Sequence, residues 1–65
     1  MIVNKRVVQM DLFDGWCIKG SDYSVTTGEA YFVLYERYSK WTTDSRDAYV
    51  FPTKAEAQFI LEGLR

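Results

Sequence analysis

An α+β fold, a small antiparallel sheet of three to four strands followed by one helix packed on one face, is what the sequence predicts, and three observations predict it. Ala57, Ile60, Leu61 and Leu64 fall at i, i+3, i+4 and i+7, so one stripe of a helix late in the chain is apolar and needs cover from upstream. Ala30 to Tyr38 is rich in aromatic and β-branched residues, the composition of a strand. The segments run strand, strand, strand, short strand, helix, with no internal repeat, and such an order makes two packed layers.

Arg6 to Leu12 comes first, with Val8, Met10 and Leu12 alternating with Val7, Gln9 and Asp11, a strand with one buried face. Asp14-Gly15 then marks a turn. A three-residue loop, Phe13-Asp14-Gly15 with Gly15 left-handed, pairs Leu12 with Trp16 and Met10 with Ile18 and gathers the large apolar residues on one face. A two-residue loop instead sets Met10 against Lys19, a poorer pattern. Lys19 to Gly28 is polar with glycine near both ends and reads as a loop.

Strand three, Ala30 to Tyr38, presents Tyr31, Val33, Tyr35 and Arg37 on one face and Phe32, Leu34, Glu36 and Tyr38 on the other. Both faces carry apolar mass, so it belongs in the middle of the sheet. A Trp41-Thr42-Thr43-Asp44 turn and a short strand, Ala48 to Phe51, follow; Pro52 ends that strand because it cannot donate to the ladder. Thr53 and Glu56 form a capping box for a helix over 54–64. Trp16 and Trp41 are expected in the core.

One domain, 1–65, is expected from a chain of 65 residues, and it buries only about 60% of its unfolded surface. With 48% apolar residues, and two Trp, five Tyr and four Phe, it can fold but cannot hide a large pocket. Eight Lys and Arg stand against nine Asp and Glu, net −1, which gives neither the basic field that draws nucleic acid nor the dense acidity of a DNA mimic. A single cysteine, Cys17, and no histidine exclude an internal disulfide and a His/Cys metal site, and remove the commonest general base. No segment reads as a signal peptide or a bilayer span. The expectation is a cytoplasmic protein without cofactor or metal and without enzymatic activity.

The pattern Trp41-Thr42-x-Asp44, Ala48, Phe51, then Glu56-Ala57 with Ile60 and Leu64 resembles small accessory proteins encoded by bacteriophages and prophages, over residues 38–64. The resemblance implies a protein of phage or mobile-element origin that acts in the host cytoplasm. Its role would be to bind and modulate or inhibit a host protein, such as a defence or transcription component. A three-stranded sheet with a helix after it is also similar to the arm-type DNA-binding domains of phage integrases, which implies the alternative of nucleic-acid binding through the sheet.

Asp44, Asp47 and Glu36 could be drawn as a carboxylate cluster, but Asp44 precedes a turn and most simply bonds backbone amides. Cys17 lacks a histidine partner and reads as an ordinary strand residue. The aromatic set is larger than a core this small can bury, and Tyr, Trp and Arg dominate binding hot spots. The candidate partner-binding residues are therefore Tyr31, Val33, Tyr35 and Arg37, expected as a row about 20 Å long on the open face of strand three, with Tyr23 from the preceding loop. The expected partner is a protein, with a second copy of the chain as another occupant and nucleic acid ranked below both.

Overall fold

The computed structural model describes residues 2–10, 14–22, 24 and 28–64. Four strands, β1 (Val3–Gln9), β2 (Trp16–Ser21), β3 (Glu29–Leu34) and β4 (Ser39–Thr42), make one antiparallel sheet in chain order. A 3-10 turn, Ser45–Asp47, leads to Phe51 and then to helix α1 (Lys54–Gly63), which packs across β1 and β2. The sequence-predicted fold class is the observed one.

Register decides which side chains meet the helix. Val7 stands opposite Ile18, and Phe32 opposite Trp41; these residues lie on the α1 side of the sheet, where Ile18, Phe32, Phe51, Ala57 and Leu61 form the buried core. Val7, Trp16, Leu34, Trp41, Ile60 and Leu64 are partly buried around its margin, so the two tryptophans expected in the core flank it instead. Trp41 meets the ring of Phe32 edge-on, with centroids 5.7 Å apart. Its Cζ3 lies 3.4 Å from where a Cβ on Gly20 would stand, so the small Gly20-Ala30 pair leaves the indole its place on the sheet.

The β2–β3 ladder runs only over Lys19 to Ser21 and Glu29 to Tyr31. Beyond it the backbone of residues 49–51 takes up the hydrogen bonds: the Tyr49 N–H donates to Phe32 O at 3.0 Å, and Phe51 and Trp16 exchange both bonds at 2.7 and 2.9 Å. Phe51, two residues before the Thr53 helix cap, is thereby stitched to β2. Gly15 is buried directly beside this junction, and a Cβ there would collide with Val50 Cγ1 and lie 3.1 Å from Phe51 O.

Several local expectations are corrected. The first strand is Val3–Gln9 rather than 6–12, and Val7, not Met10, stands opposite Ile18. Gln9, not Leu12, pairs with Trp16. Leu12 and Phe13, like Tyr23, lie outside the described residues. Adjacent Val7 and Val8 let β1 bury either face, so apolar alternation alone could not choose the register. Gly15 lacks the expected left-handed conformation; the glycine with positive φ is Gly28, at 70°. Gly15 is required for close approach of the chain, not for a turn. Asn4, at φ 56°, marks a bulge between Val3 and Arg6, a conformation that Asn tolerates better than most residues.

Strand three ends at Leu34, well short of Tyr38. The Tyr35 N–H donates to Tyr38 O at 2.7 Å, closing a tight turn across which the two rings stack with centroids 4.6 Å apart. Trp41 and Thr42 belong to β4, opposite Phe32 and Tyr31, and only Thr43 and Asp44 leave the sheet. The polar segment after Lys19 begins later than expected because Lys19, Gly20 and Ser21 still pair in β2.

Three substitutions separate the contributions of core and junction. Leu61→Ala removes a side chain that is 2% exposed and should cost about 2–5 kcal/mol, with Ile60→Ala costing less because Ile60 is only partly buried. Gly15→Ala should cost about 1–3 kcal/mol through the forced shift of Val50 and Phe51. Urea melts measure all three; an unchanged midpoint for Gly15→Ala would show that the 49–51 segment can move away without loss.

Candidate functional site

The cap of α1 sets the geometry of the most distinctive surface. Thr53 is extended, and its hydroxyl accepts from the Glu56 N–H at 3.2 Å, so the helix starts immediately after Pro52 with Phe51 fixed beneath it. Ala57 and Leu61 point into the core. Phe59 therefore points away, 75% exposed, a phenyl ring among the exposed Lys54, Glu56 and Glu62 of the same helix.

Beside Phe59 lies an open groove of about 460 Å³. Phe51 is buried at its floor, Leu34 and Tyr49 line the sheet side, and Ala55, Phe59 and Ile60 line the helix side. Tyr49 packs edge-on against Phe51, with centroids 4.8 Å apart. Glu56 is the charged residue of the lining, and exposed Glu62 lies three residues beyond Phe59 on the same side of the helix. Lys54 turns elsewhere, its Nζ 5.6 Å from the Trp16 ring centroid. The groove is thus apolar with an acidic rim.

The residues chosen from sequence are arranged differently. Tyr31 and Val33 share the helix-free face, but Val33 is only 7% exposed and Tyr31 is half-buried. Tyr35 and Arg37 are exposed in the turn after β3. A continuous exposed row does not form, because the strand stops at Leu34. Phe59 is not among the candidates, because it lies off the apolar stripe of Ala57, Ile60, Leu61 and Leu64; a large aromatic residue on the polar side of an amphipathic helix is the signal that could have found it.

Electrostatics on the helix-free face are locally compensated. Arg6 stands opposite Lys19, and Lys19 opposite Tyr31. The Lys19 ammonium is 2.8 Å from Glu29 and 5.6 Å from the Tyr31 ring centroid, and the Tyr31 hydroxyl donates to Glu29 at 3.3 Å. The hydrogen bond to Glu29 raises the Lys19 pKa, and the same bond lowers that of Glu29. Cys17, in β2 on this face, is buried, and burial pushes its thiol up, away from the reactive thiolate.

Asp44 accepts from the Arg46 backbone N–H at 2.9 Å and holds the guanidinium through Nε at 3.1 Å and Nη2 at 2.9 Å. Its backbone N–H in turn donates to Thr42 Oγ1 at 3.2 Å. Asp44 therefore builds the 3-10 turn, and the side-chain hydrogen bond from Arg46 is the main reason its pKa is lowered. Compared with known proteins, the chain matches no family model, no curated protein and no solved structure.

A pH dependence follows from these groups. Asp22, Glu29 and Asp44 all have lowered folded-state pKa values, so their stabilisation is fully present above the unfolded values of about 4 and is lost as pH falls through the folded ones. The urea midpoint should be level from about pH 6 to 5 and decline below about pH 4. A midpoint unchanged down to pH 3 would show that these pairings do not contribute.

Proposed function

We propose that the protein is a non-enzymatic binding protein that engages a protein partner in the groove between α1 and residues 49–51. The observation that carries this reading is Phe59, three-quarters exposed beside a hollow floored by Phe51. Burying an exposed aromatic ring contributes affinity in proportion to the apolar area removed from water, and aromatic residues cost little rotamer entropy when they bind. The Trp41-Thr42-x-Asp44 pattern supports the further reading that the protein is a phage or prophage accessory factor acting on a host protein.

Nucleic-acid binding is the second reading, favoured by Arg6, Lys19 and Lys40 sharing the helix-free face with Tyr31. Lys19 is already held by Glu29. Two remaining cations would release few counterions, giving a salt slope of about −2 on duplex DNA, against the steeper dependence of dedicated binders.

Affinity capture from a bacterial lysate with wild-type, Phe59→Ala and Tyr35→Ala/Arg37→Ala baits distinguishes the surfaces. A protein retained by the wild type and by the Tyr35/Arg37 variant, but lost from Phe59→Ala with its circular dichroism unchanged, is the expected result. Retention by Phe59→Ala with loss from Tyr35→Ala/Arg37→Ala would move the site to the β3–β4 turn. Recovery of nucleic acid, released as salt rises, would make the second reading the first.

A further inference from the structure

The charge around the groove narrows the partner beyond its being a protein. Glu56 and Glu62 lie three residues before and three after Phe59, neighbours on one side of the helix, and both are exposed. Among the described residues the nearby lysines are engaged elsewhere: Lys54 lies over Trp16, and Lys5 donates to Leu64 O at 3.3 Å at the far end of the helix. An apolar hollow thus carries one exposed carboxylate, Glu56, in its lining, with a second, Glu62, one turn beyond Phe59 on the same helix.

Resting on the groove reading above, we propose that the occupant is a basic amphipathic protein segment, a Leu, Phe or Trp anchor flanked by Lys or Arg. The anchor enters against Phe51, Leu34 and Tyr49, and the flanking cations meet Glu56 and Glu62 at the rim. A second copy of the chain is a poor occupant for the same reason. Positions 56 and 62 are equidistant from 59, so an antiparallel two-fold packing of α1 through Phe59 sets carboxylate against carboxylate. Nucleic acid is repelled at this rim as well.

The probe is a set of fluorescein-labelled peptides with one Phe, Leu or Trp anchor flanked by Lys and Arg, by Gln, or by Glu, titrated with the full chain in fluorescence polarisation. The basic set should bind most tightly and the acidic set least. Glu56→Gln and Glu62→Gln should each weaken the basic set about two- to fivefold, the range for an exposed ion pair, and Phe59→Ala should abolish binding of all sets. Gln retains capping capacity at position 56, and circular dichroism of each variant confirms the helix.

Equal binding of basic and acidic peptides, still lost in Phe59→Ala, would overturn the charge rule and leave the groove reading standing. Failure of every peptide to bind the wild type, or binding unchanged in Phe59→Ala, would overturn both. A dimer detected by sedimentation and dispersed by Phe59→Ala would make a second copy the occupant and overturn the basic-segment proposal.

Discussion

The fold depends on the pair of backbone hydrogen bonds between Trp16 and Phe51. They join the start of β2 to Phe51, two residues before the Thr53 helix cap, across a long span of chain. Without them α1 would depend mainly on its apolar stripe for its hold on the sheet, and a helix of ten residues is marginal without tertiary support. Gly15 makes the junction possible by leaving space for Val50 and Phe51. One residue without a side chain thus supports both the closure of the sheet and the placement of the helix.

The groove is a geometric consequence of that placement. A helix is about 10 Å across and strands are about 4.8 Å apart, so one helix covers about two strands. Here α1 covers β1 and β2, while Trp41 packs on Phe32 and over the Gly20 position nearer the other edge. The seam between helix and β3 is left to Leu34, Tyr49 and Phe51, too few residues to fill it. Phe59 stands at the lip of this seam because the turn that buries Ala57 and Leu61 turns position 59 outward.

The two sides of the sheet handle charge differently. On the helix-free side Glu29 holds Lys19, and Lys40 lies over the Tyr35 ring, its Nζ 5.5 Å from the centroid, so cations there already have local contacts. On the groove side Glu56 and Glu62 flank an exposed ring while the nearest lysines are engaged elsewhere. The surface with exposed apolar area thus also carries exposed carboxylates. That coincidence sets the proposed site on the helix rather than on the strand face first suggested by the tyrosines.

The sequence by itself determined the fold class, the central position of β3, the helix with its Thr53 cap and the burial of Ala57 and Leu61. These follow from local periodicity and capping chemistry, which act over a few residues. It did not determine the β1–β2 register, since Val7 and Val8 satisfy either face, nor the end of β3, since alternation continues through the Tyr35–Tyr38 turn. Only the tertiary structure decided that Gly15 answers to crowding by Val50 and Phe51 rather than to a turn. It also decided that Val33 is buried while Phe59 borders a groove. The placement of Gly15 and of the groove depends on where residues 49–51 enter the sheet, a contact between distant segments that no local pattern encodes.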